Sequence, residues 1–360
     1  MIWIDITDPK YVLFFRSLIP LLKSLDSVVV TTRKSRDYEE CHALLELFQI
    51  PSICIGNYGG NEIFDKLEAR LKRQEGFLEL FKRIGRPNLF ITGVSVEGTQ
   101  TAFGLGIPII QFSDTPLASD NFDLSKITVV AKLTLPLSSL IFRPFVVPEI
   151  CYSALGVEPK NIIAYPFIDV ALWLKDLPQG EDFRKRYHLP TTRPTILLRE
   201  EEYKAHYVRT KLPIIYESIP LLNELDANLV IMPRYGSAEL HRQFSSLKNL
   251  TILEEKLPPQ DFYPFIDILI GGGGTMNLES CYLGIPTIST RSLFLFHDKY
   301  LLDHHLMQHH TDSQALYHQV KAWIAQETKR KNQREFFESS PANFQEIFAI
   351  IQERYYKHQK

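Results

Sequence analysis

One segment of the 360-residue sequence, residues 268–289, constrains the fold most strongly. It reads ILIGGGGTMNLESCYLGIPTIS, with four glycines between two short apolar stretches. This pattern predicts a β-strand, a glycine-rich turn, a helix that begins at Thr275 and a second strand, as in a parallel α/β sheet. Glycines at a strand end permit positive φ angles and let several N–H groups approach a ligand. Because the helix adds the positive end of its dipole, the turn is predicted to bind an anion, most often phosphate.

The residues after the turn point to a nucleotide. Glu279 lies four residues after Thr275, one turn into the helix and on the same face, where a carboxylate can accept hydrogen bonds from a ribose. No lysine follows the glycines and the six-residue dinucleotide fingerprint is absent, so neither a Walker site nor a classical dinucleotide site is predicted. The alternative is that the four glycines only form a tight strand-to-helix turn.

Composition excludes several classes of protein. The hydrophobic content of 45% and charged content of 23% are ordinary for a soluble globular chain, and the net charge of −2 gives no reason to expect a nucleic-acid partner. The four cysteines are scattered, which suits reduced thiols better than a disulfide or zinc framework. No signal sequence and no run of 18 apolar residues is found, so we expect a cytoplasmic protein without a membrane-spanning helix.

The strand–turn–helix–strand unit occurs twice, at a constant offset of 178 positions. Gly93 corresponds to Gly271, and Leu-Gly-Ile-Pro occurs at residues 105–108 and again at 283–286. With strands and helices alternating on both sides, the repetition favours an α/β chain with two Rossmann-like, doubly wound domains facing each other across a cleft. The alternative is that Leu-Gly-Ile-Pro is only a common helix exit, with glycine as C-cap and proline preventing continuation.

The second unit resembles the donor-nucleotide segment of GT-B glycosyltransferases and of the non-hydrolysing UDP-N-acetylglucosamine 2-epimerase. The resemblance rests on Gly-Gly-Thr, Glu279 and the Leu-Gly-Ile-Pro exit that leads into a strand. It implies that the turn binds the diphosphate of a UDP-sugar and that Glu279 binds the ribose. The turn residues concerned are Gly272, Gly273, Gly274 and Thr275.

The opening residues 3–7, the Gly59-Gly60 loop and the Gly-Gly-Gly-Gly-Thr-Met block together resemble an uncharacterised prokaryotic GT-B-like family known as a domain of unknown function. This resemblance implies a GT-B-like fold and a nucleotide-sugar ligand, without a reaction. Proline-rich connections place the predicted boundaries at 1–166 for the acceptor-side domain and 167–340 for the nucleotide-sugar domain. Residues 341–360 are predicted to form a final helix, which the resemblance implies packs back on the N-terminal domain.

The chain departs from the epimerase where the epimerase carries its proton-transfer residues. The opening Gly-Thr-Arg-Pro-Glu segment of the epimerase is replaced here by residues 5–9, Asp-Ile-Thr-Asp-Pro. The position of its first-domain aspartate is occupied by Gly93-Val-Ser, and that of its first glutamate by Ser113-Asp-Thr115. Epimerisation is therefore ranked second among the possible reactions.

Candidate phosphate-binding arginines occur at two strand ends in the second domain. Arg199 and Arg234 follow apolar strands on the same rim as the glycine turn, where arginine can bind a diphosphate and stabilise a leaving group. The alternative is that they pair with Glu200, Glu201 or Glu202. Lys204 and His206 in the same loop are weaker candidates.

Carboxylates of the first domain are the candidate catalytic bases, since glycosyl transfer needs a base near the acceptor hydroxyl. Asp114 is the first choice and Asp5 the second, with Asp8 and Glu97 also expected at the cleft. Asp8 is better explained as a helix N-cap because Pro9 follows it. For Asp114 a purely structural role is an equal alternative.

A histidine cluster at 304, 305, 309 and 310 is the other conspicuous group, with His297 and Asp298 nearby. His305 and His309 are four residues apart, but no His-Glu-x-x-His arrangement occurs, so no metal site is predicted. The basic run 329–331 is expected to be a solvated surface, with peripheral membrane contact as a minor option.

The sequence thus predicts a metal-independent GT-B glycosyltransferase with a UDP-sugar donor, no other cofactor and an unknown glycan, lipid or small-molecule acceptor. An epimerase or hydrolase of a UDP-sugar is the alternative reaction. A nucleotide-sugar-binding protein without catalysis is the alternative of a different class.

Overall fold

The computed structural model describes residues 1–35, 39–60, 62–201, 212–234, 236–255 and 257–357. The chain divides into two compact units. Unit 1 comprises Met1–Leu117, Phe122–Leu172 and Pro341–Lys360, and unit 2 comprises Ala118–Asn121 and Trp173–Ser340. Within the described ranges, no helix combines the length and the apolar character needed to cross a membrane.

Unit 1 is built on a seven-stranded parallel sheet. Its strands are β1 (Ile2–Ile6), β2 (Val28–Thr32), β3 (Ile53–Cys54), β4 (Leu89–Thr92), β5 (Ile109–Phe112), β6 (Leu140–Pro144) and β7 (Ile162–Tyr165). The helices before the division between the units are α1 (Pro9–Phe15), α2 (Leu18–Leu22), α3 (Glu40–Leu47), α4 (Ile63–Ile84), α5 (Val96–Gly104), α6 (Val129–Thr134) and α7 (Ile150–Ser153), and α8 (Ala171–Leu174) spans the division. Short 3₁₀ helices occupy Leu124–Lys126, Leu135–Leu137 and Pro159–Asn161.

Unit 2 is built on a six-stranded parallel sheet. Its strands are β8 (Thr195–Arg199), β9 (Asn228–Met232), β10 (Leu250–Ile252), β11 (Ile268–Gly271), β12 (Thr287–Ser289) and β13 (Gln308–His309). The helices are α9 (Phe183–Arg186), α10 (Ile214–Leu222), α11 (Ala238–Phe244), α12 (Pro259–Phe262), α13 (Gly274–Tyr282), α14 (Phe296–Asp303) and α15 (Ser313–Ala325). Two 3₁₀ helices lie at Tyr263–Phe265 and Arg334–Phe336, and the last helix of the chain, α16 (Gln345–Tyr355), belongs to unit 1.

The first six strands of each sheet have the same order. In unit 1 it is β3-β2-β1-β4-β5-β6-β7, and in unit 2 it is β10-β9-β8-β11-β12-β13. In both, the first strand lies beside the fourth, so the strand order reverses there and a crevice opens at the carboxyl ends of the strands. The predicted α/β architecture with two doubly wound sheets is therefore confirmed.

Both faces of the second sheet are buried, which explains its continuous apolar strands. Ile196, Leu198 and Ile270 contribute to one apolar cluster, whereas Leu197 and Leu269 contribute to another. Side chains of a strand alternate between the two faces, so each cluster covers one side of the sheet.

The last helix belongs to the core of unit 1. The ring of Phe344, which precedes α16, lies 5.1 Å from that of Phe14, 6.2 Å from that of Phe112 and 6.4 Å from that of Phe167. These aromatic contacts come from four distant parts of the sequence. Because Phe167 is buried in unit 1, the chain passes into unit 2 only after Leu172.

The internal repetition has a structural counterpart. Helices α5 and α13 are displaced by 178 positions at both ends, and each is followed by a glycine with positive φ. Gly106 has φ +61° and Gly284 has φ +72°. Each glycine thus ends its helix in a left-handed conformation, as expected for a helix exit.

The two equivalent glycines differ in the space around them, which gives a paired prediction. A Cβ atom at Gly284 would lie 1.8 Å from the carbonyl oxygen of Lys331, whereas at Gly106 its nearest neighbour is an Arg86 guanidinium nitrogen 3.8 Å away. We expect Gly106→Ala to lower the free energy of unfolding by about 1 kcal/mol through backbone strain. We expect Gly284→Ala to cost about 3 kcal/mol, because overpacking adds to the strain. Urea unfolding of both variants checks this, and equal costs would contradict it.

Candidate functional site

The glycine turn of unit 2 lies at the reversal of strand order, where β11 ends beside β8. The backbone N–H of Gly272 donates to the carbonyl oxygen of Arg199 over 2.9 Å, and α13 begins at Gly274, one residue earlier than predicted. None of the four glycines from 271 to 274 has a positive φ. These glycines therefore do not use the positive φ angles that glycine permits, and crowding around the turn explains them instead.

Each of the four glycines leaves room for another group. A Cβ atom at Gly272 would lie 2.4 Å from the Cα atom of Glu201, so the missing side chain lets two loops approach. At Gly273 and Gly274 the nearest atoms are guanidinium nitrogens, from Arg234 and Arg291, each 2.9 Å from the added Cβ. Two arginines therefore reach the first turn of α13.

Arg291 is the residue of this group that sequence reasoning missed. It follows β12 and is buried, with its Nη1 atom 2.5 Å from the carboxylate of Asp298 near the start of α14. The ion pair fixes the guanidinium beside Gly274. The sequence gives only a weak signal for it, namely an arginine two residues after the strand that follows the glycine-rich turn and its helix.

Arg234 and Arg199, both predicted phosphate ligands, have different surroundings. The backbone N–H of Arg234 donates to Glu200 over 2.8 Å, while its side chain approaches Gly273. Arg199 Nη1 instead donates to the carbonyl oxygens of Met232 and Pro233, over 3.2 and 2.6 Å. These two bonds direct Arg199 to the end of β9, so Arg234 and Arg291 are the better candidates for an anion.

The acidic residues after β8 hold the neighbouring loops. Glu200 accepts hydrogen bonds from the Tyr216 hydroxyl and the Arg234 backbone, and Glu201 accepts from the backbone N–H groups of Leu212 and Ser292. Glu202, Lys204 and His206 lie outside the described residues.

Glu279, the predicted ribose ligand, is buried in the second turn of α13. Its carboxylate accepts a hydrogen bond from Trp173 Nε1 over 2.8 Å and another from the Tyr263 hydroxyl. Burial raises the pKa of the Glu279 carboxyl, while these two hydrogen bonds act in the opposite direction. Each carboxylate oxygen has a second lone pair, so this geometry leaves acceptor capacity for a ribose hydroxyl. Thr275 lies exposed in the first turn of the same helix.

Asp5, the second candidate base, is part of a buried ion network in unit 1. Both of its oxygens accept from the Arg73 guanidinium, over 2.7 and 2.9 Å, and the Thr31 hydroxyl donates to one of them. Glu97 lies 3.5 Å from the same guanidinium. Asp5 is fully buried and both of its oxygens are held by Arg73, so an acceptor hydroxyl cannot reach it and we remove Asp5 from the candidate bases.

Asp114, the first candidate base, lies after β5 and remains partly exposed. Lys10 Nζ is 2.5 Å from Asp114 and 2.5 Å from Asp169, which follows β7. Burial disfavours the charge on Lys10, but the two carboxylates outweigh this effect and raise the pKa of the ammonium above its usual value. The Tyr165 hydroxyl also donates to Asp169 over 2.6 Å. The carboxyl edge of this sheet thus holds two carboxylates around one cation.

Asp8 beside this group has the predicted capping role. Its side chain accepts from the backbone N–H of Lys10 over 2.9 Å, and Pro9 is the first residue of α1. The N-cap interpretation is therefore confirmed.

The histidine cluster does not share one helix face. Helix α14 ends at Asp303, His305 has a positive φ, and His309 lies in β13 with its Nε2 atom 3.1 Å from the carbonyl oxygen of Arg291. Among the residues that the structure describes, no group of three or more His, Cys, Asp or Glu side chains is placed to hold a metal ion.

Comparison with known proteins identifies relatives of the whole chain. The family described as "Protein of unknown function (DUF354)" matches residues 1–358. An uncharacterized protein of Methanocaldococcus jannaschii is 30% identical over 329 residues, covering 89% of this chain and 90% of the relative.

Solved structures show similarity of fold at low sequence identity. The S. aureus MnaA–UDP structure has a TM-score of 0.75 at 15% identity and covers 99% of this chain and 96% of its own. UDP-GlcNAc 2-epimerase from Neisseria meningitidis bound to UDP-GlcNAc has a TM-score of 0.69 at 13% identity, with 98% of both chains covered. The glycotransferase of kitacinnamycin has a TM-score of 0.61 at 13% identity, again with 98% of both covered. The chain therefore has a GT-B-like fold.

Proposed function

The chain belongs to the DUF354 family, and we propose that it is a GT-B-type glycosyltransferase that uses a UDP-sugar as donor. The observation that carries the proposal is the pair of guanidinium groups, from Arg234 and Arg291, at the N-terminal turn of α13. Two arginines and the positive end of a helix dipole form a suitable site for a diphosphate. The solved structures with the same fold include an epimerase bound to UDP-GlcNAc, MnaA with UDP and the glycotransferase of kitacinnamycin.

In this proposal the donor site makes the diphosphate a good leaving group. As the bond between the anomeric carbon and the diphosphate oxygen breaks, negative charge grows on that oxygen, and both arginines stabilise it. Glu279 accepts a ribose hydroxyl and so orients the nucleotide. Because the counter-charge comes from the protein, transfer proceeds without a divalent ion and is insensitive to EDTA.

The acceptor side of the proposal rests on Asp114. Its carboxylate takes the proton of the acceptor hydroxyl as the acceptor oxygen forms its bond to the anomeric carbon. Lys10 Nζ lies 2.5 Å from this carboxylate and holds it at the carboxyl edge of the sheet.

We expect UDP to stabilise the wild-type protein against heat, and Arg234→Ala and Arg291→Ala each to weaken UDP binding about 10- to 100-fold. The reason is the loss of a charge-assisted hydrogen bond to the diphosphate, worth about 1.5–3 kcal/mol. Thermal shift titrations with UDP and several UDP-sugars measure the effect. Arg242→Ala on the exposed side of α11 is the matched control and should leave the affinity unchanged. Absence of any shift with uridine nucleotides would reject the donor site.

Epimerisation or hydrolysis of a UDP-sugar is a second candidate, and the arrangement of Asp114 and Asp169 about Lys10 favours it. Two carboxylates at one site can remove a proton and return it. Incubation of each UDP-sugar with the protein and no acceptor separates the reactions. Turnover detected by NMR under those conditions would replace transfer by epimerisation or hydrolysis. Binding without turnover, with or without a panel of acceptors, would indicate a nucleotide-sugar-binding protein.

A further inference from the structure

Two adjoining cavities of unit 2 lie at the C-terminal end of α13, whereas the glycine turn lies at its N-terminal end. The larger has a volume of about 360 Å³ and the smaller about 190 Å³. They share Leu283, Arg330 and Arg334 as lining residues, so we treat them as one basic pocket. The larger volume alone falls in the range of about 300–1,000 Å³ that is typical of small-molecule sites. The larger cavity is lined by Tyr282, Leu283, Arg330, Lys331, Asn332 and Arg334.

The two arginines of the basic pocket contact neighbouring groups of the fold through their guanidinium groups. Arg330 Nη2 donates to the carbonyl oxygens of Tyr263 and Ile266, over 2.5 and 2.8 Å. The backbone N–H of Lys331 donates to the carbonyl oxygen of Gly284 over 3.0 Å, so this residue is fixed through its main chain. The guanidinium of Arg334 lies 5.3 Å from the centre of the Tyr282 ring. The guanidinium groups of Arg330 and Arg334 are therefore positioned before any ligand binds, which lowers the entropic cost of binding.

The charge of the basic pocket is positive. None of the described residues that line the two cavities is an aspartate or glutamate. A neighbouring carboxylate, that of Glu338, accepts a hydrogen bond from the Tyr282 hydroxyl over 3.0 Å. Cations near a helix C-terminus also stabilise the fold without any ligand, because they interact favourably with the helix dipole. The bonds from Arg330 to carbonyl oxygens are of this structural kind. That role does not account for a cavity lined by three cations, Arg330, Lys331 and Arg334, all of which are exposed.

We propose that the basic pocket is a second anion-binding site, which takes a phosphate or diphosphate group. Arginine forms paired hydrogen bonds with phosphate oxygens, and lysine contributes a point charge. Asn332 and Gln179, which line the larger and the smaller cavity respectively, supply amide groups for the remaining oxygens. The pocket does not include the glycine turn, so this proposal is independent of the proposed glycosyl transfer.

The phosphate can belong to a free anion or to the headgroup of a lipid, and the same chemistry recognises both. A free anion enters the cavity alone, whereas a phosphomonoester headgroup brings a membrane surface to the exposed basic residues around it. Inorganic pyrophosphate and vesicles that contain phosphatidic acid are therefore the two probes.

The test compares two double charge reversals in the full-length protein. Lys331→Glu together with Arg334→Glu places two negative charges in the basic pocket. Lys248→Glu together with Lys321→Glu makes the same change of net charge at exposed positions elsewhere in unit 2. We expect pyrophosphate titrated by calorimetry to bind the pocket variant at least tenfold more weakly than the control variant. Circular dichroism confirms that both variants are folded.

Hydrogen exchange locates the bound anion. Protection by pyrophosphate of residues 328–336 supports the basic pocket, and protection confined to residues 271–280 would overturn the proposal. The second arm measures binding of both variants to vesicles that contain phosphatidic acid, with phosphatidylcholine vesicles as the blank. If the phosphate belongs to a lipid, the control variant should bind the phosphatidic acid vesicles and the pocket variant should not. Equal binding of both variants to both probes, or no binding of the wild-type protein to either, would also overturn it.

Discussion

Replacement of Arg73 by methionine is expected to lower the free energy of unfolding of unit 1 by about 3–5 kcal/mol. The reason is the network around its guanidinium, which contacts Asp5 on both oxygens and lies 3.5 Å from Glu97. Arg73 is 1% exposed and Asp5 is fully buried, so the variant leaves a carboxylate inside the protein without a counter-ion. Urea unfolding, followed by hydrogen exchange of the amides of β1 and β4, measures the loss in this unit.

Two further variants make the Arg73 experiment specific. Lys72→Ala removes the neighbouring cation, which is exposed and pairs with Glu68 on the same helix, and little change is expected. Asp5→Asn combined with Arg73→Met removes the uncompensated charge, so it should recover part of the lost stability. A double variant as unstable as the sum of the two single variants would show that packing rather than charge dominates.

The second large effect is expected for Asp114→Asn. If Asp114 is the base of the proposed transfer, the amide cannot accept the acceptor proton, and kcat should fall about 10²- to 10⁴-fold. UDP-induced thermal stabilisation should remain, because Asp114 is not a residue of the proposed donor site. Steady-state kinetics with the active donor and acceptor pair measure the change.

Asp123→Asn is the matched control for Asp114. Asp123 lies on the surface of unit 1, where its side chain accepts from the Ser125 backbone, and its amide variant should keep full activity. Asp169→Asn tests which of the two carboxylates that contact Lys10 acts as the base. A loss of activity in Asp169→Asn together with normal kcat in Asp114→Asn would transfer the role of base to Asp169.

The sequence is sufficient to predict the features that depend on local pattern. The strand predicted at Val28–Thr32 is observed as β2, and the strand predicted at Asn228–Met232 is observed as β9. Continuous apolar runs between short polar links can be recognised because the helices and strands of a doubly wound sheet alternate regularly. The family resemblance and the GT-B-like fold, both expected from a few motifs, are confirmed by the comparisons.

Partners that are distant in the sequence could not be predicted. Asp5 and Arg73 are 68 positions apart, and Lys10 and Asp114 are 104 positions apart, so their pairing depends on strand order and on helix placement. A carboxylate at a strand end looks the same in the sequence whether it faces a crevice or an internal guanidinium. Arg291 was missed for the same reason, since its place beside Gly274 depends on how β12 lies beside β11.

The aromatic contacts of Phe344 have a consequence for biosynthesis. Translation proceeds from the N-terminus, and domains generally fold as units while the chain emerges from the ribosome. The sheet of unit 1 is synthesised first, yet Phe14, Phe112 and Phe167 gain the ring of Phe344 only after all of residues 173–340 have been translated. Unit 2 therefore has all of its residues before unit 1 does. Until Phe344 has been translated, the nascent N-terminal half exposes the apolar surface that this ring covers. We expect a chaperone to bind the nascent chain during that period.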